Sequence, residues 1–200
     1  MRYGLIKVAA AIPAVKVADT KYNLSEIENQ IAIAEGKGVE IICFPELSLT
    51  GYSCQDLFHQ QLLLDNAEQA TLSLLDFTRQ LDITVIVGAP VAAGPLLLNC
   101  ALVIQQGKLL GIVAKTYLPN YSEFASSQDL RPQSIHFAGH HILVTPDMQI
   151  FRTAQGAKFG IEICEDVWAP TPPSNHLTLA GAEIIFNLSA SDELIGKHAY

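Results

Sequence analysis

The sequence contains no run of lysine or arginine anywhere along its 200 residues. Twelve basic residues face 20 acidic ones, giving a formal charge of −8 and a pI near 5.1. Nucleic acids and anionic membrane surfaces bind proteins chiefly through clustered positive charge, so both are excluded as expected partners. Charged residues of either sign are scarce at 16%, while half the chain is hydrophobic, which excludes a disordered chain. No apolar stretch reaches the ~20 residues that a membrane-spanning helix requires. The opening MRYGLIKVAAAIPAV pairs positive charge with an apolar run, as a signal peptide does, but the run alternates and breaks at Pro13 with no convincing cleavage region after it. It reads as a first core strand. There is no internal repeat, low-complexity segment or linker, and the length suits one domain with a sizeable core.

Cysteine is also sparse and unpaired in pattern. Cys43, Cys54, Cys100 and Cys164 form no CxxC motif, so a disulfide framework is not expected and a reducing cytoplasm fits best. The six histidines do not fall at ligand spacing from these cysteines, so no metal site is expected. The adjacent His140 and His141 would point apart in a strand and read as a loop-to-strand edge.

What is present is an alternation of strand and helix patterns. Residues 3–10 read as a buried strand, and Leu24, Ile27, Ile31 and Ala34 give a helical period over 23–36 that Gly36 and Gly38 close. A fully apolar strand over 39–44 has the character of one buried on both faces. A helix over 65–81 and a strand over 84–89 follow. Residues 96–104 and 108–114 read as a hairpin with a Gly-containing turn, 119–138 as loop, and 142–144, 149–152, 158–163 and 183–188 as strands. Ser174 is the expected N-cap of a helix through Leu179. The pattern predicts a layered α/β protein.

Three residues of chemical interest end apolar strands. Cys164 follows Gly160-Ile161-Glu162-Ile163 and opens an acidic turn, a place where α/β folds put reacting groups. A thiol there is either a small buried residue or a nucleophile needing a base or cation from elsewhere, since adjacent carboxylates disfavour the thiolate. Glu46 leaves an apolar strand just after Pro45 and is either a solvated carboxylate or a general base. Lys115 closes Gly111-Ile112-Val113-Ala114 and is either a surface lysine or an electrostatic stabiliser of an oxyanion.

In order, Phe44-Pro45-Glu46-Leu47-Ser48-Leu49-Thr50-Gly51-Tyr52, Lys115-Thr116-Tyr117-Leu118-Pro119 and Glu162-Ile163-Cys164-Glu165-Asp166 resemble the motifs of the nitrilase superfamily of carbon–nitrogen hydrolases. The resemblance implies an α-β-β-α four-layer sandwich and a triad of Glu46 as general base, Lys115 as stabiliser of the tetrahedral intermediate and Cys164 as nucleophile. The flanks narrow it further. Residues 115–124, Cys164-Glu165-Asp166-Val167-Trp168 with its Pro-rich continuation, and Asn187-Leu188-Ser189-Ala190-Ser191 are similar to the glutaminase domain of glutamine-dependent NAD⁺ synthetases. That similarity implies L-glutamine as substrate, contacts to it from Tyr121, Ser191 and Lys197, and a second acidic position at Glu123. Lys197 supplies a cation without the bidentate fork of arginine. The resemblance also implies that residues 1–200 are an incomplete glutaminase domain, truncated at its C-terminus, with a synthetase domain beyond residue 200. No cofactor is expected for the glutaminase half-reaction, ATP and Mg²⁺ belong to the synthetase domain, and the full-length enzyme is expected to be a homo-oligomer. The alternatives are a stand-alone amidase or carbamoylase acting on another small amide, and a non-catalytic fragment.

Overall fold

The computed structural model describes residues 4–119, 123–191 and 194–199. A five-stranded sheet takes the order β1 (Val8–Ala10), β2 (Ile41–Cys43), β3 (Thr84–Ala93), β4 (Leu96–Gln105) and β5 (Lys108–Ala114). The first three strands are parallel; β4 and β5 then turn back twice by antiparallel pairing. β5 therefore runs in the same direction as β2, and their carboxyl ends share one edge of the sheet. A second sheet has the order β10 (Ile184–Leu188), β9 (Lys158–Ile163) and β8 (Phe151–Arg152), with β9 and β10 parallel, and a separate hairpin pairs β6 (Gln133–Phe137) with β7 (His140–Val144).

The layers follow from which faces are apolar. Helix α1 (Thr20–Gly36) buries Ile27, Ile31 and Ala34, and α2 (Gln61–Phe77) buries Leu63, Ala67, Ala70, Leu74 and Leu75. Much of this surface packs with Val85, Val87, Ala89 and Leu102 of the first sheet. The opposite face of that sheet, with Ile41, Cys43, Ile86, Ala101 and Val103, packs on Phe159, Ile161, Ile163, Phe186 and Leu188 of the second sheet. Helix α3 (Pro173–Leu179) closes the far side, where Leu177 lies so near Gly160 that a β-carbon there would sit 2.9 Å from its methyl group. This is the expected nitrilase-like α-β-β-α sandwich. Both faces of β2 and β3 are covered, which is why their sequences are continuously apolar rather than alternating.

Several boundaries differ from the sequence reading. α1 begins at Thr20 because the Asp19 carboxylate accepts from Tyr22 N (3.0 Å) and caps it three residues early. α2 starts at Gln61 without a side-chain cap and ends at Phe77, which the period alone placed four residues later at each end. β3 runs on through Pro90. Asn99, opposite Pro90, directs its carbonyl to Lys115 N just past β5, so the proline nitrogen faces the side that β2 has already left. β6 lies inside the segment read as loop. Its alternation is weak, but Ala138 and Gly139, both at positive φ, make the two-residue turn that pairs it with β7. His140 and His141 lie in β7, and His141 meets His136 of β6 ring to ring at 5.4 Å. Ser174 is not the cap of α3: Pro172 holds that position, and Ser174 N donates instead to the buried carboxylate of Glu162 (3.0 Å). No helix among the described residues is long and apolar enough to cross a membrane.

Candidate active site

Glu46 lies three residues beyond the end of β2, in a turn pressed against Gly88 of β3. A β-carbon on Gly88 would lie 2.6 Å from Pro45 O and 2.8 Å from the Glu46 carbonyl carbon, so only glycine lets this turn seat. Gly88 also accepts from Leu49 N and donates to Ser48 Oγ, holding the turn from both directions. The Glu46 side chain points inward and is fully buried.

Lys115 leaves β5 on the same sheet edge and is 2% exposed, with its backbone N–H bound to Asn99 O. Its ammonium donates to Glu46 Oε1 at 2.6 Å. Asn99 Nδ2 donates to the same oxygen, also at 2.6 Å, leaving Glu46 Oε2 buried with no partner among the described residues. Two donors thus converge on one carboxylate oxygen and the other is kept open as an acceptor. A buried carboxylate with a free lone pair, held beside an ammonium, can take and return a proton without reorganising. Neither residue is the solvated surface group that its position in the sequence left open.

Cys164 begins the 3₁₀ turn Cys164–Trp168 at the end of β9, in the facing sheet. Its φ is +47°, a conformation that non-glycine residues rarely adopt, at the junction where β9 passes into the turn. It is half-buried, whereas Cys43, Cys54 and Cys100 are buried. Burial pushes the Cys43 thiol up to about 12 and raises those of Cys54 and Cys100 as well, which makes these three poor nucleophiles at neutral pH. Asn187 Nδ2 donates to Cys164 O (3.3 Å) and to Glu162 Oε1 (3.4 Å), tying β10 to the turn.

The β9 and β5 ends are joined by Asp166. Its Oδ1 accepts from Thr116 N (3.1 Å) and Tyr117 N (2.6 Å), directly after Lys115, and its Oδ2 accepts from Ile163 N (2.9 Å), directly before Cys164. Burial raises the Asp166 carboxyl to about 6, against the pull of these three N–H groups and of the Lys115 charge.

The remaining residues named from sequence fall differently. Lys197 Nζ donates to Ser191 Oγ (2.7 Å), an exposed contact unlike the buried Glu46–Lys115 pair. Glu123 is half-buried, beside Phe124, whose ring meets Phe58 edge-on at 4.8 Å. Tyr121 lies outside the described residues. Two residues escaped the sequence reading. Asn99 had a signal, a lone amide within Leu96-Leu97-Leu98-Asn99-Cys100-Ala101-Leu102; Asp166 stood in a quoted motif but carried no role. Among the described residues, no group of three or more His, Cys, Asp or Glu side chains is placed to hold a metal ion.

Known proteins resemble this chain to different extents. The chain is 34% identical over 203 residues to a glutamine-dependent NAD(+) synthetase of Mycobacterium bovis, covering 98% of this chain and 30% of that protein. It is 33% identical over 182 residues to the enzyme of that name from Thermotoga maritima, covering 90% and 29%. The chain therefore spans about a third or less of the length of these relatives. Among solved structures, a glutamine-dependent NAD(+) synthetase from Cytophaga hutchinsonii superposes with a TM-score of 0.81 at 26% identity, over 97% of this chain and 32% of that one. An amidase from Nesterenkonia sp. shares the fold with a TM-score of 0.76 at 19% identity, over 96% of this chain and 68% of its own. The description "Carbon-nitrogen hydrolase" matches residues 7–198, nearly the whole sequence, and the chain belongs to that family.

Proposed function

We propose that this chain hydrolyses the side-chain amide of L-glutamine, with Cys164 as nucleophile, Glu46 as general base and Lys115 as electrostatic stabiliser. The observation that carries the reading is the buried carboxylate of Glu46, one oxygen held by Lys115 and Asn99 and the other open, at the strand edge that Asp166 links to Cys164. Glu46 takes the thiol proton as sulfur attacks the amide carbon. The C=O π bond becomes an oxyanion, which the Lys115 ammonium stabilises. As the oxyanion collapses the C–N bond breaks, and the proton passes from Glu46 to the leaving nitrogen, which departs as ammonia. Water, deprotonated by Glu46, then cleaves the thioester to glutamate and restores the thiol. No metal or organic cofactor enters these steps.

The names of the relatives support L-glutamine as the substrate and a wider role in NAD⁺ synthesis. In this reading residues 1–200 form the glutaminase domain of a glutamine-dependent NAD⁺ synthetase. The ammonia feeds a synthetase domain that uses ATP and Mg²⁺, within a homo-oligomeric full-length enzyme. Tyr121, Ser191 and Lys197 are proposed to contact glutamine, and Glu123 to supply a second carboxylate. Labelling with a glutamine-analogue electrophile tests the core of the proposal. The expected result is selective modification of Cys164, abolished in Cys164→Ala and accompanied by glutamate release from glutamine. Equal labelling of all four cysteines would overturn the triad, and hydrolysis of simple aliphatic amides in preference to glutamine would favour a stand-alone amidase.

A further inference from the structure

Asp166 is 1% exposed and takes no part in the chemistry assigned to Glu46, Lys115 and Cys164. The two strand ends that carry Lys115 and Cys164 belong to different sheets, and those sheets meet through apolar packing, which is non-directional. Apolar packing alone does not fix an ammonium relative to a sulfur. At the end of a strand and just past it, moreover, backbone N–H groups need acceptors other than a sheet neighbour. The N–H groups of Thr116 and Tyr117 on one side and of Ile163 on the other all turn to the single side chain of Asp166.

We infer that Asp166 is a positioning residue, an ionised strap that fixes the Lys115 end of β5 against the turn presenting Cys164; this rests on the proposed role of Cys164 as nucleophile. Three charge-assisted N–H···O bonds are directional and short-ranged, and they span the inter-sheet gap where the triad must assemble. The charge is essential to the strap. A neutral acid carries a hydrogen on one oxygen, so either Ile163 N–H or the Thr116 and Tyr117 pair would face an O–H instead of a lone pair. Protonation of a carboxyl raised to about 6 therefore loosens one side of the site. Lys115 is the cation facing Asp166, and Asp147, from the turn after β7, lines the same water-sized void as Asp166, together with Thr116, Thr145 and Gln149.

The test is the rate at which iodoacetamide labels Cys164 in the full chain, followed by mass spectrometry of the Cys164 peptide across about pH 5 to 8, beside glutamine turnover. In the wild type the rate should show a limb near pH 6. Asp166→Asn keeps the shape and removes the charge. It should fold, lose that limb, and label Cys164 about tenfold or more slowly at neutral pH, as expected when reacting groups are misplaced. A folded Asp166→Asn protein that labels at the wild-type rate with the wild-type pH dependence would overturn the inference. If the variant does not fold, the wild-type profile decides, and absence of the limb near 6 overturns it. Iodoacetamide needs no glutamine site. Asp166-dependent labelling without glutamine hydrolysis would thus sink the substrate proposal and leave the strap standing, while undiminished glutaminase activity in Asp166→Asn would sink the strap alone.

Discussion

The Glu46–Lys115 pair permits a prediction that separates stability from chemistry. Both side chains are almost fully enclosed, and one 2.6 Å contact joins them. Replacing Glu46 by Leu leaves the buried Lys115 ammonium without the carboxylate that contacts it, and replacing Lys115 by Met leaves the carboxylate with Asn99 alone. Removing one partner of a buried pair costs about 3–5 kcal/mol, whereas replacing both by apolar residues of similar volume is commonly neutral or stabilising. Each single variant should therefore melt roughly 6–20 °C lower, taking about 2–4 °C per kcal/mol for a chain of this size. The double variant Glu46→Leu/Lys115→Met should recover most of that loss while remaining without activity. Urea unfolding of the four proteins gives the coupling energy directly. If the double variant were destabilised by the sum of the two singles, the pair would be energetically uncoupled. The account of Lys115 as a cation held by Glu46 would then fail.

Gly88→Ala should push the Glu46 turn outward, because the new methyl meets the backbone of Pro45 and Glu46 rather than a flexible side chain. A loss of about 1–3 kcal/mol in urea unfolding is expected from the overpacking, with turnover falling about 100-fold if the carboxylate shifts by an ångström. Gly36→Ala, with nothing within 4 Å of the added carbon, is the control and should leave turnover unchanged. Asn99→Ala removes one of two donors to Glu46 Oε1. A charge-assisted bond worth about 1.5–3 kcal/mol predicts a loss in kcat of roughly 10- to 150-fold with little change in KM, and a loss confined to KM would refute it. Asp166 also predicts a pH dependence of stability. Its folded-state carboxyl, raised from 3.8 to about 6, binds its proton more tightly than the unfolded chain does. Its contribution to stability is therefore fully present below about 4 and lost as pH rises through about 6, amounting to the order of 3 kcal/mol. The wild-type minus Asp166→Asn difference in unfolding free energy should fall across that window; a flat difference would refute the raised carboxyl.

That sign bears on how the site was chosen. With its carboxyl raised to about 6, an ionised Asp166 is expected to cost stability at neutral pH, which accords with the positioning role inferred from its three N–H contacts. The same distinction explains what was legible in the sequence. The apolar runs read at 39–44 and 84–89 announce buried strands because length and composition agree there, and the layered α/β class follows. Glu46, Lys115 and Cys164 could be picked out because each interrupts an apolar run at its end, where a charge or thiol is conspicuous. Tertiary pairing decides the rest. Asn99 is only one amide in an apolar strand until β5 folds back beside it, and its worth lies in a bond to a residue 53 positions earlier. Asp166 looks like part of an acidic turn, and its three donors come from two strand ends 46 residues or more apart in sequence. β6 was hidden for a related reason, since the Ala138–Gly139 turn creates its partner and the segment has little strand character of its own. Local pattern therefore reports which residues are out of place, while the contacts that orient them become visible only once distant strand ends are brought to one edge.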